Sequence, residues 1–173
     1  MRAIKILLMT VLSICILSTT IAQDGTKLRE GMKAPNFNLQ NYQGKFFKLS
    51  SFKDKSPVVI YFYPKAGTPG CTKQACGIRD DLNKFNDKNI VVLGISVDSK
   101  TDIKRFVRQN KLNFPILSDE NKIVSTKYGV LRDDGKAKRV TFIVDRKGII
   151  VRIIEVSDVS THSQDVFEIV SQL

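Results

Sequence analysis

Val58-Val59-Ile60-Tyr61-Phe62-Tyr63 runs directly into Pro64-Lys65-Ala66-Gly67-Thr68-Pro69-Gly70-Cys71, and Cys76 follows five residues later. The first six residues are all apolar or aromatic, as in a strand covered on both faces. Thr68 fits a helix N-cap and Pro69 fits the first helical position. The helix they open is predicted over about 68–85. Cys71 then falls in its first turn, where backbone N–H groups point outward and the helix dipole favours an anion. A thiol held there tends to lose its proton and become nucleophilic. The stretch reads as thiol redox chemistry at the end of a buried strand.

The periodicity around this centre supplies the rest of the fold. Cys71, Ala75, Ile78, Leu82 and Phe85 recur at spacings of four, three, four and three, which is one helical face. Upstream, Phe37-Asn38-Leu39 and Phe46-Phe47-Lys48-Leu49 flank Asn41-Tyr42-Gln43-Gly44 and read as a β-hairpin. Downstream, Ile90–Val97 is a buried strand, and Ile103, Phe106 and Val107 mark a second helix. Phe114–Leu117 is a short extended piece, and Ser118 or Asp119 caps a small helix reaching Lys127. Val140–Val144 and Ile149–Val156 read as two strands joined at Asp145-Arg146-Lys147-Gly148. Thr161–Leu173 closes the chain as a helix with Val166, Ile169, Val170 and Leu173 inward. Two β-α-β units predict parallel pairing and the late hairpin antiparallel pairing. The order predicts an α/β fold with a mixed central sheet flanked by helices and an N-terminal β-hairpin extension.

Length and composition allow one domain. The 173 residues are 42% hydrophobic, enough for a single core. Residues 1–22 read differently from the rest. Arg2 and Lys5 form a basic start, Ile6–Leu17 is largely apolar, and Thr20 and Ala22 are small residues before Gln23. This is the pattern of a cleaved secretory signal peptide. An uncleaved anchor is the alternative, but the apolar run is shorter than the ~20 residues a spanning helix needs. Lipidation at Cys15 fits poorly, because Ile14 is bulky and the apolar run continues past it. The expected organisation is therefore a signal peptide at 1–22, a flexible lead at 23–33 and the folded domain at 34–173. The expected location is exported, periplasmic or extracytoplasmic, with no stable membrane insertion after cleavage.

Charge and the remaining residues set further bounds. Removing Arg2 and Lys5 takes the 28 basic residues to 26 against 17 acidic, a net +9. The basic residues are scattered with few aromatics between them, so the surface reads as solvated rather than as a nucleic-acid site. Loss of the signal also removes Cys15 and leaves Cys71 and Cys76. A close pair in an exported chain suits either a structural disulfide or a redox-cycling one. A metal site is disfavoured, since C-x₄-C with the single His162 lacks a ligand set. His162 itself, near the start of the last helix, reads as a surface or capping residue.

Pro64, Thr68 and Cys71 reproduce the P-x-x-x-T-x-x-C motif of peroxiredoxins. The longer run Tyr61–Cys76 resembles the Q-type subgroup, also called bacterioferritin comigratory protein. Gly31-Met32-Lys33-Ala34-Pro35-Asn36-Phe37 resembles its opening segment, and Leu93-Gly94-Ile95-Ser96 and Arg139–Asp145 resemble later landmarks. The resemblance covers residues 30–173 and implies a thioredoxin-like fold. It implies a thiol peroxidase that reduces hydrogen peroxide and organic hydroperoxides. In that reading Cys71 is the peroxidatic cysteine and Cys76 the resolving one. Thr68 contacts thiolate and peroxide, Pro64 shields the pocket from water, and Arg139 holds the thiolate charged. No cofactor is implied, thioredoxin or a thioredoxin-like protein is the implied reductant, and the chain is expected to be a monomer. The stretch Tyr128–Gly135 is shorter than in many Q-type members and bears on the size of substrate admitted.

The spacing of the two cysteines adds a constraint. Five residues along a helix rise about 7.5 Å and turn about 140°, whereas a disulfide wants Cα atoms within about 7 Å and facing Cβ vectors. An intact helix cannot close Cys71 to Cys76, so its first turns are expected to unwind, eased by Gly77. The rival readings are an exported thioredoxin-like disulfide carrier or chaperone, for which a C-x-x-C pair is the usual signature, and a secreted domain with one static bridge.

Overall fold

The computed structural model describes residues 27–173; the expected signal peptide and the start of the lead lie outside them. The chain runs through strands β1 (Asn38–Asn41), β2 (Phe46–Lys48) and β3 (Val58–Phe62), then helix α1 (Pro69–Asp87). Strand β4 (Val91–Ser96), helix α2 (Lys100–Gln109), strand β5 (Ile116–Ser118) and helix α3 (Ile123–Lys127) follow. Strands β6 (Val140–Val144) and β7 (Ile150–Glu155) and helix α4 (His162–Val170) complete it. All the strands form one sheet in the order β2-β1-β5-β4-β3-β6-β7. The pairs β3–β4 and β4–β5 are parallel, while β3–β6, β6–β7, β1–β5 and β1–β2 are antiparallel. This is the mixed sheet the element order predicts, with the hairpin added beyond β5.

The unbroken apolar run of β3 follows from its central position. Val59, Tyr61 and Tyr63 enter one core cluster, and Val58, Ile60 and Phe62 enter the other, as alternation across a pleated strand requires. Helices α1, α2 and α4 cover the first face through Cys71, Ala75, Ile78, Leu82, Phe85, Ile103, Phe106, Val166 and Val170. The second face is covered by α3, Tyr128 and the chain around Ala34, Phe37 and Leu49. Helix α3 opens after Lys122, an N-cap residue with left-handed backbone at φ 61°, and its first N–H groups are met by a side chain from further upstream. The Asp119 carboxylate accepts from Val124 N at 3.1 Å and Ser125 N at 2.6 Å, which is the capping role expected of Ser118 or Asp119.

The lead departs from its sequence expectation. Gly31 N donates to Ile150 O at 2.8 Å, Ile150 N donates to Met32 O at 2.8 Å, and Lys33 bridges Ile149. The Glu30 carboxylate accepts from Ile153 N at 3.2 Å and pairs with Arg152 at 3.4 Å. Residues 30–33 are therefore anchored. The physical reason is that β7 is an edge strand whose outer N–H and C=O groups need partners, and polarity in the lead hides this backbone pairing. Among the described residues, no helix is long and apolar enough to cross a membrane.

Candidate active site

The turn after β3 is built to deliver a cysteine to a helix end. Ala66 N donates to Asp98 Oδ2 at 2.8 Å, which ties the turn to the loop after β4. Gly67 follows with φ +79°, a left-handed backbone that favours glycine. Thr68 is the N-cap residue and Pro69 is the first helical residue, as the sequence suggests. The cap is a backbone one: the Thr68 hydroxyl donates to Lys65 O at 3.1 Å and does not cap the helix N–H groups. Cys71 lies in the first turn of α1 and is 2% exposed. Cys76 lies on the same unbroken helix, half-buried, and both are free thiols.

Arg139, which leads into β6, reaches across to this helix end. Its Nη2 donates to Cys71 Sγ at 3.3 Å, and its Nη1 donates to Gln74 Oε1 at 2.5 Å. The guanidinium is half-buried, and its fork spans the thiol and the amide. Gly70 lies beneath the guanidinium, where a Cβ would stand in contact with Nη2 at 3.4 Å. The arginine brings fixed positive charge and directed donors to the sulfur, and the helix end brings more of both. The structure thus brings Cys71 and Arg139 together over 68 residues of sequence. Pro64 is half-buried at the head of the same turn. The hydroxyl of Thr68 is turned to Lys65 rather than to the sulfur.

Three neighbours were not legible from the motif. Gln74 is 1% exposed and occupies the Cys71 face of α1 at i+3. Asp98 anchors the turn. His162 corrects the sequence reading outright, for it is 1% exposed and neither a surface nor a capping residue. Its Nε2 lies 2.8 Å from Thr141 Oγ1, and Gln74 Nε2 lies 3.2 Å from its Nδ1. Burial lowers its pKa to about 4; Arg139 acts in the same direction and Asp165 opposes it. The signal was present in the spacing His162, Val166, Val170, a buried stripe at intervals of four.

Below the thiol, the phenols of Tyr61 and Tyr63 are buried without hydrogen-bond partners among the described residues. Burial pushes both phenols up, so they remain neutral. Gly94 makes this packing possible, since a Cβ there would lie 2.7 Å from the Tyr61 hydroxyl. A cavity of about 350 Å³, lined by Arg132, Lys138, Arg139, Val140, Glu155, Val156 and Ser157, opens beside the guanidinium. A larger groove of about 610 Å³ between β1 and α3 touches neither Cys71 nor Arg139, so its size does not make it the reaction site. Among the described residues, no three His, Cys, Asp or Glu side chains cluster as metal ligands.

A buried thiol at a helix N-terminus, facing a guanidinium on a thioredoxin-like sheet, defines a thiol-redox protein. The comparisons narrow the class. The AhpC/TSA family model matches residues 31–153. A peroxiredoxin bcp of Haemophilus influenzae is 38% identical over 154 residues, covering 84% of this chain and 98% of that protein. The crystal structure of peroxidoxin BcpB from Mycobacterium tuberculosis superposes with a TM-score of 0.79 at 30% identity, covering 84% of this chain and 98% of that one. A Xanthomonas campestris bacterioferritin comigratory protein, described for its alkyl peroxide reduction activity, superposes at 0.73 with 25% identity over 79% of this chain and 90% of that one. The chain belongs to the AhpC/TSA family and is a peroxiredoxin of the Q/BCP type. Its activity is that of a thiol peroxidase.

Proposed function

We propose that Cys71 is the nucleophile of this peroxidase and that Cys76 resolves it. The observation that carries the reading is the 3.3 Å approach of Arg139 Nη2 to Cys71 Sγ at the start of α1. The guanidinium and the helix N-terminus set hydrogen-bond donors and positive charge at the sulfur. The thiolate attacks one peroxide oxygen, the O–O bond breaks, and the departing oxygen takes a proton to leave as water or an alcohol. Cys71 becomes a sulfenic acid. Arg139 donors stabilise the charge that shifts onto the leaving oxygen, in the manner of an oxyanion hole. The Thr68 hydroxyl joins them by turning from the Lys65 carbonyl toward bound peroxide, and Pro64 keeps bulk water from the sulfur.

The Cys76 thiol then displaces water from the sulfenic acid to form the Cys71–Cys76 disulfide. A dithiol reductant of thioredoxin type returns both sulfurs to thiols by exchange. Hydrogen peroxide and small organic hydroperoxides suit a sulfur only 2% exposed. A disulfide carrier is less well supported, because a carrier needs an accessible attacking thiol. The working form is a monomer, exported by a signal peptide at 1–22 and cut before Gln23; N-terminal sequencing of the mature protein tests the last point. Cys71→Ser should abolish peroxide consumption. Cys76→Ser should retain one fast turnover and then stop with thioredoxin as reductant. Turnover by Cys71→Ser, or steady-state rates unchanged in Cys76→Ser, would overturn the assignment.

A further inference from the structure

A line of buried polar side chains continues inward from Arg139, beyond any atom that meets peroxide. Gln74, Thr141 and His162 are 1%, 0% and 1% exposed, and they come from α1, β6 and α4. Arg139 Nη1 donates to Gln74 Oε1. That bond fixes the amide with its oxygen outward and its NH₂ group inward. An amide NH₂ donates and cannot accept. It lies 3.2 Å from His162 Nδ1 and 3.5 Å from Nε2. The closer nitrogen, Nδ1, accepts from the NH₂ when it carries the lone pair. Nε2 then carries the proton and donates to Thr141 Oγ1 at 2.8 Å. This tautomer pairs the two shortest contacts, whereas the other would set Nδ1–H against the NH₂ at 3.2 Å.

The amide of Gln74 has nearly the same shape when its oxygen and nitrogen exchange places. In the exchanged state NH₂ would face the guanidinium, donor against donor, and Arg139 would be pushed from Cys71. The lone pair on His162 Nδ1 excludes that state. An imidazolium in the same position would have no lone pair and would favour it. We propose that neutral His162, as its Nε2–H tautomer, is a positioning residue that holds the Gln74 carbonyl toward Arg139 and so keeps the guanidinium on Cys71 Sγ. The role rests on Cys71 being the reacting sulfur.

The charged and titratable groups around the imidazole agree with a neutral ring. Arg139, before β6, opposes protonation, and Asp165 of α4 favours it. The Tyr61 ring of β3 stands 6.1 Å away, and its phenol is neutral. Gln74 completes the surroundings from α1. Burial outweighs Asp165 and brings the imidazole to about 4. The interaction therefore persists through the neutral range and fails on acidification.

His162 is the only histidine of the chain, so its ring nitrogens can be read without assignment. Nitrogen NMR of the reduced protein should report the Nε2–H tautomer, unchanged through neutral pH. Gln74→Glu replaces the NH₂ by a second acceptor, so the imidazole should take up a proton at higher pH than in the wild type. In single-turnover oxidation by hydrogen peroxide, His162→Phe should react about tenfold more slowly, the factor expected from weakening one hydrogen bond to a charged group. His162→Asn, which keeps an acceptor near Nδ1, should recover most of that loss. The proposal is overturned by an Nδ1–H tautomer, by a folded His162→Phe protein reacting at the wild-type rate, or by an unmoved imidazole titration in Gln74→Glu. If His162→Phe does not fold, the two NMR readouts decide. They need no peroxide, so they separate this proposal from the peroxidase assignment, which stands or falls on the wild-type reaction and Cys71→Ser.

Discussion

Arg139 is one residue doing two jobs, with one nitrogen on Cys71 Sγ and another on Gln74 Oε1. Arg139→Ala should slow oxidation of Cys71 by roughly ten- to hundredfold, the range for losing a hydrogen bond to a charged group, about 1.5–3 kcal/mol. Arg139→Lys should recover only part, because a single ammonium cannot span both acceptors as the planar fork does. Stopped-flow oxidation of the reduced variants measures this, and a wild-type rate in Arg139→Ala would remove it from the site. The local placement of Pro64, Thr68 and Cys71 was legible in the sequence: the turn, the N-cap residue and the first-turn cysteine stand where the motif puts them. Arg139 was reached only by resemblance, since nothing in its own neighbourhood announces a partner 68 positions away. His162 was misread because a lone polar residue at a helix start suggests a cap, and the stripe it begins with Val166 and Val170 outweighs that cue. Gln74 escaped notice because the apolar face was counted without its polar member.

At the scale of elements, α1 carries the sharpest conflict. It is continuous from Pro69 to Asp87, yet it holds both of the thiols that the proposed cycle joins. Forming the Cys71–Cys76 bond should break helical hydrogen bonds around Gln74–Asp80, while the central strand β3 remains intact. Hydrogen exchange on reduced and oxidised protein should show lost protection over 71–80 and unchanged protection over 58–62. Equal exchange over 71–80, with the bridge confirmed by mass spectrometry, would rule out unwinding. Unwinding also separates Gln74 from His162, so the imidazole should register oxidation. The strands and helices were legible because their apolar periods are strong: β3 is buried at every position, and α1 buries the predicted face. Pairing of the lead with β7 was not legible, because backbone hydrogen bonds leave little trace in side-chain polarity.

The molecule as a whole carries an acid-sensitive core. His162 has a pKa near 6.5 in an unfolded chain and about 4 in the fold. Its neutral burial therefore contributes stability in full above about 6.5. Between 6.5 and 4 the unfolded chain binds a proton that the folded chain refuses, and up to about 3 kcal/mol is lost as pH falls. Asp81, held low chiefly by Lys84, acts only below this window, where acid protonates it and removes its contribution. Denaturant titrations from neutral to mildly acidic pH should show the loss, and His162→Phe should flatten it. An unchanged slope would refute the imidazole as its source. The bonds between the lead and β7 act on a different property, the order in which the chain becomes itself. Glu30 meets Arg152 and Ile153 across 122 and 123 residues, so the first anchored segment has no dock until nearly the last strand exists. Contacts of such separation form late in folding. Removing residues 1–33 should speed unfolding and leave the refolding rate nearly unchanged, because late contacts sit beyond the transition state. Slowed refolding instead would show that the segment helps nucleate the fold. A nascent chain thus keeps its head unclasped until its tail arrives.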